Sequence, residues 1–129
     1  MINYEFLYAF TKEVSHIDKS VRWVAITNDV GVLLVVEIRE GLAPLLTEEE
    51  NEQYAAAAIS RHKLRVNYQD KIGRLTYALG KYEKIFRVTV PINEKYYLFL
   101  TIDSDLQNVD SIVNQQIIPI IQKNIDKFQ

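Results

Sequence analysis

The two histidines, His16 and His62, are the residues best suited to acid–base or metal chemistry near neutral pH. They stand far apart, in no HxxxH or HExxH pattern, and the chain has no cysteine. A zinc or iron site needs at least a third defined ligand, so no metal is expected. His62 shares a helical face with Ile59 and Val66, which reads as the edge of a core; its other use would be as a ligand or general base. The four glycines, Gly31, Gly41, Gly73 and Gly80, make neither GxGxxG nor a P-loop. A phosphate cradle of consecutive backbone amides is therefore not expected. No serine sits in a GxSxG elbow. Acids pair easily among 17 Asp and Glu, but Glu48, Glu49, Glu50 and Glu52 crowd one helix start, where they favour the helix dipole. No catalytic residue and no cofactor is expected. The chain reads as a non-enzyme.

Charge is placed unevenly. Between Arg61 and Lys95 nine Lys and Arg stand against only Asp70, Glu83 and Glu94, a net +6 within a chain of net charge −2. Such a segment can face an anionic ligand or partner. Arg61, Arg65, Arg74 and Arg87 are its candidate anion contacts, and Arg61 and Arg65, four apart, share one side of a helix. A net negative chain grips nucleic-acid phosphates poorly, so nucleic acid is not an expected partner.

The elements that carry these residues are legible. Phe6, Phe10, Val14 and Ile17 form one stripe, predicting a helix over 4–18. Strands follow over 21–27 and 32–39, joined by the turn Asn28-Asp29-Val30-Gly31, in which Gly31 is free to take positive φ. Thr47-Glu48-Glu49-Glu50 is a capping box that starts a second helix, expected to run to Gln69. Three strands are expected over 75–79, 85–92 and 96–102, the last two as a hairpin across Asn93-Glu94-Lys95. Ser104 or Asp105 can cap a last helix whose apolar face includes Val109, Ile112, Val113, Ile117, Ile120 and Ile121, with Pro119 kinking or splitting it. The order α-β-β-α-β-β-β-α predicts a single α+β domain over residues 1–129, a five-stranded antiparallel sheet flanked by helices. Val32 to Val36 is an unbroken apolar run, the pattern of a strand covered on both faces.

The second helix carries two apolar stripes. Ala55, Ile59, His62 and Val66 gather on one side; Ala57, Leu64 and Tyr68 gather almost opposite, flanked by Tyr54 and Arg61. One stripe suffices to lie on a sheet. The other predicts an outer cover, which can be the same helix of a second copy, another segment of this chain or a different protein; a second copy is favoured, since symmetric dimers are the commonest oligomers.

With 129 residues, 48% of them apolar and 25% charged, the chain is long enough for one core and is not of a disordered class. No apolar run reaches about 18 residues, and Met1-Ile2-Asn3-Tyr4-Glu5 lacks a basic signal region. A cytoplasmic location without membrane contact is the expectation.

The element order, with Gly31 at the tip of the hairpin over Val21 to Val36, resembles the roadblock (dynein light chain roadblock) family within the profilin-like group. That family usually has a glycine near the start of its first strand, where this chain has Arg22-Trp23. Arg22-Trp23-Val24-Ala25, Asn28 to Gly31, the segment Arg39 to Thr47 and Arg61 to Arg65 are similar to short proteins of ammonia-oxidising archaea, which bring no function with them. The roadblock resemblance implies a non-enzymatic dimeric platform, often associated with small GTPases, pairing through the second helix and a neighbouring edge strand. Carried onto this chain, that puts Ala57, Arg61, Leu64 and Tyr68 of the helix, with Leu75 and Tyr77 of the strand, at a homodimer contact. The alternative is a PAS-like sensory domain that takes a small anionic ligand through Arg61, Arg65, Arg74 or Arg87.

Overall fold

A computed structural model describes residues 2–129. The chain forms α1 (Tyr4–Ser15), β1 (Val21–Asn28), β2 (Leu33–Ile38), α2 (Glu48–Arg65), α3 (Gln69–Ile72), β3 (Ala78–Lys81), β4 (Ile85–Pro91), β5 (Tyr96–Asp103), α4 (Val109–Ile112) and α5 (Ile118–Lys123). The five strands make one antiparallel sheet in the order β2-β1-β5-β4-β3.

Alternation along the strands sends side chains to two separate cores. Val24 and Ile26 of β1, Val88 and Val90 of β4, and Leu98 and Leu100 of β5 meet Leu7, Phe10 and Val14 of α1 and Val109, Ile112, Val113 and Ile117 of the C-terminal helices. On the other face Trp23, Ala25, Tyr97 and Phe99 receive Ala55, Ala58 and Ile59 of α2. The result is three layers, with α2 alone on its side. Phe128 closes the larger core, its ring 5.0 Å from both Phe6 and Phe10 and its carbonyl accepting from Asn93 Nδ2 at 2.8 Å.

Several expected boundaries move. The first helix stops at Ser15, not Asp18, because Asp18 turns its carboxylate to the Ser20 amide at 2.9 Å. The capping box of α2 forms in both directions, Thr47 Oγ1 accepting from the Glu50 amide and Glu50 from the Thr47 amide. Beyond Arg65 the helix tightens into a 3₁₀ turn over Val66–Tyr68 before the single turn of α3. Branched Val66 and Asn67 are poor helix formers, so the expected continuous helix to Gln69 is not kept. β3 lies at Ala78–Lys81 rather than 75–79, fixed by the pairing of Gly80 with Arg87. The last helix starts after Asn108, not at Ser104 or Asp105, and a π-type turn over Val113–Ile117 divides it ahead of Pro119 in the first turn of α5.

The run Val32 to Val36 packs on both faces within β2, Leu34 and Val35 against the larger core and Leu33 and Val36 against the α2 core. It lies at the outer edge of the sheet, where Val35 is buried but Val32 is 51% exposed. Pattern alone cannot separate a central strand from an edge strand packed on both faces. Leu98-Phe99-Leu100, in contrast, occupies the central strand, fully enclosed.

Candidate functional site: the outer face of α2 and the β3 edge

Amphipathic spacing seats α2 on the sheet through Asn51, Ala55, Ala58 and Ile59, all buried. The opposite side of the helix is left uncovered. Ala57 and Arg61 are exposed, Leu64 is 64% exposed and Tyr68 58%. Ile72 at the end of α3 is 83% exposed.

β3 is the second free edge of the sheet. Between it and the C-terminal half of α2 runs a groove of about 190 Å³, lined by Arg61, His62 and Arg65 from the helix and by Leu75, Leu79 and Tyr82 from around the strand. Tyr54 stands in the wall, with the Arg61 guanidinium 5.8 Å from its ring centre. Burial raises the Tyr54 pKa above its ordinary value, helped by its hydrogen bond to Tyr82. His62 is half-buried and meets Tyr97 edge to face at 5.4 Å. Its Nδ1 is enclosed and has no hydrogen-bond partner among the described residues. Burial lowers the imidazole pKa, and the positive charges of Arg65 and Arg74 lower it further. The groove thus gathers positive charge beside a histidine whose neutral form burial and the neighbouring arginines favour.

The expected contact residues do not all meet there. Ala57, Arg61, Leu64 and Tyr68 share the outer side of the helical layer, and Leu75 reaches the groove. Tyr77 does not. It precedes β3, packs against the larger core, and donates its hydroxyl to Asp110 at 2.5 Å, on the α4 side of the molecule.

The four candidate anion contacts are likewise divided. Arg61 and Arg65 line the groove, while Arg74 lines a second depression between the end of β4 and α5. Arg87 is 4% exposed and lies beneath Tyr54, its guanidinium 3.7 Å from the ring centre and its Nη1 donating to Asn51 Oδ1 at 3.2 Å. Sequence reasoning missed Asn51 and read Tyr54 only as a flank of the outer stripe. The spacing carried a signal for the first, since Asn51 falls four residues before Ala55 on the buried stripe, where a polar residue needs a partner.

Among the described residues no three His, Cys, Asp or Glu side chains gather as a metal site, and no helix is long and apolar enough to cross a membrane. The ion pairs among the described residues are Arg22 to Asp103 at 2.7 Å and Arg39 to Asp103 at 3.1 Å. They tie β1, the end of β2 and β5 together at one end of the sheet.

Two helical layers about this strand order define the roadblock/LC7 fold of the profilin-like group. The gliding protein MglB from Thermus thermophilus has this fold with a TM-score of 0.75 at 12% identity, over 100% of this chain and 96% of that one. A Roadblock/LC7 domain from Streptomyces avermitilis has it with a TM-score of 0.71 at 7% identity, over 93% and 95% of the two chains. Profilin II of Acanthamoeba castellanii is more distant, at a TM-score of 0.54 and 12% identity over 95% and 93%. By sequence, the chain belongs to DUF6659, a family of unknown function whose model matches residues 1–129. No curated protein matches it.

Proposed function

We propose that this protein is a non-enzymatic interaction domain that pairs with a second copy of itself through the outer face of α2 and the free edge of β3. The observation that carries this reading is the uncovered stripe Ala57, Leu64 and Tyr68, followed in the chain by exposed Ile72 and beside an unpaired strand edge. Free strand edges and exposed apolar side chains are surfaces that proteins otherwise guard.

The charge order of α2 supports a two-fold arrangement. Glu48, Glu49 and Glu50 occupy its first turn and His62, Lys63 and Arg65 its last. Two such helices packed antiparallel set the acidic end of each against the basic end of the other. Small, exposed Ala57 near the helix midpoint lets the axes approach. Glu50, about two turns before the crossing and on the same side as Ala57, then faces Arg61 and Arg65 of the second copy. The paired domain is a platform, and the roadblock resemblance makes a small GTPase the first partner to test on it.

Light scattering after gel filtration tests the pairing. A species of twice the 15.0 kDa chain mass is expected, and Leu64→Arg should return it to the monomer. Leu64 is 64% exposed, so the variant should keep its fold by circular dichroism. A wild-type chain that stays monomeric at high concentration would sink this reading.

A further inference from the structure

Arg87 is a buried cation in the sheet interior, and its surroundings are incomplete. It is 4% exposed, and among the described residues no carboxylate pairs with it. Its Nε is buried without a hydrogen-bond partner among them. Tyr54 and Trp23 offer ring faces at 3.7 Å and 5.7 Å, and Asn51 accepts one hydrogen bond. Cation–π contacts of this kind offset part of the desolvation of a guanidinium. They do not neutralise it, and arginine does not escape by losing its proton.

A cavity adjoins this group. It lies beneath the segment Leu42 to Leu46, is lined by Arg22, Trp23, Asn51, Arg87 and Thr101 among others, and measures about 20 Å³. That exceeds the roughly 10–15 Å³ that a single water-sized occupant requires. Every polar side chain named there can donate: two guanidinium groups, the Asn51 amide and the Thr101 hydroxyl. Asp103, the carboxylate that pairs with Arg22, is shared with Arg39. The site is therefore short of negative charge and rich in donors.

We infer that this cavity binds a small monovalent anion, a halide or the carboxylate of a small acid, as the counter-ion of Arg87. The anion joins the start of α2, through Asn51, to β1 and β4, and holds the segment Leu42 to Leu46 over the sheet. This site is separate from the α2–β3 groove and does not depend on the pairing proposed above.

Thermal unfolding of the full chain at one ionic strength, in sodium chloride, bromide, acetate or gluconate, tests the inference. An anion present at roughly tenfold its dissociation constant should raise Tm by about 4 °C over gluconate, which is too large for the cavity. Chloride and bromide acting alike identify a halide site; acetate acting alone identifies a carboxylate site. Arg87→Met should lose the anion dependence. If that variant does not fold, crystals of the wild-type chain grown in bromide should show an anomalous peak beside Arg87. Equal Tm in all four salts, with no anomalous peak in the cavity, overturns the inference.

Discussion

Gly31 and Ala56 meet backbone to backbone: a Cβ built on Gly31 would stand 2.9 Å from both the Cα and the amide nitrogen of Ala56. The tip of the β1–β2 hairpin is thereby seated against α2, and Gly31 holds the left-handed φ of +95° that its turn requires. Asn28 supports the same turn, its Oδ1 accepting from the amides of Val30 and Val32 at 3.0 Å.

Gly31→Ala should therefore be costly twice, in backbone strain and in displacement of α2. A loss of about 3 kcal/mol is expected by urea unfolding. Gly41→Ala serves as a control: Gly41 also has positive φ, but its added Cβ meets nothing within 4 Å. It should cost about 1 kcal/mol.

Asp103 accepts from Arg22 and Arg39 at once. Burial pushes its pKa up, but the two guanidinium groups reverse this and hold it below the ordinary 3.8. A lowered folded pKa gives stability that is fully present above 3.8 and lost as pH falls through the folded value. Asp103→Asn should cost about 2 kcal/mol at neutral pH and flatten the acid limb of the stability profile below pH 3.8.

His62 has the opposite partners, and its lowered pKa has the opposite consequence. The folded value lies below the ordinary 6.5, through burial and then through Arg65 and Arg74. The unfolded chain therefore binds a proton more readily, and stability falls as pH drops from 6.5 through the folded value. His62→Gln should reduce that decline, read from unfolding midpoints across this range. An imidazole titrating at or above 6.5 by NMR in the native protein would contradict the assignment.

Across the proposed two-fold, Arg61→Glu together with Arg65→Glu should set acids against Glu50 of the second copy. The dimer dissociation constant should rise at least about tenfold, close to 1.4 kcal/mol. Adding Glu50→Lys should recover part of the affinity, although it also opens the capping box. Recovery in the triple variant separates charge pairing from a general loss of fold.

The elements and their order were legible in the residues alone, because periodicity, caps and turn residues act within a few positions of one another. The Thr47–Glu50 capping box and the Asn28–Gly31 turn depend on nothing farther away, and both form as read. The two stripes of α2 were also local, a matter of angle around one helix axis, as far as Arg65; Val66, expected on the inner stripe, falls in the 3₁₀ turn and is exposed. Whatever depends on strand order emerged only in the packed chain. Val32 to Val36 is apolar enough for a sheet centre but lies at an edge, and only pairing registers place it there. Tyr77 stands just before β3, whose pairing begins at Ala78, and its hydroxyl donates to Asp110, away from the groove. Arg87 counted as one positive charge among nine in its segment, yet it is enclosed under Tyr54 and Trp23. Its partners come from β1 and α2, distant segments whose approach no local pattern of residues records.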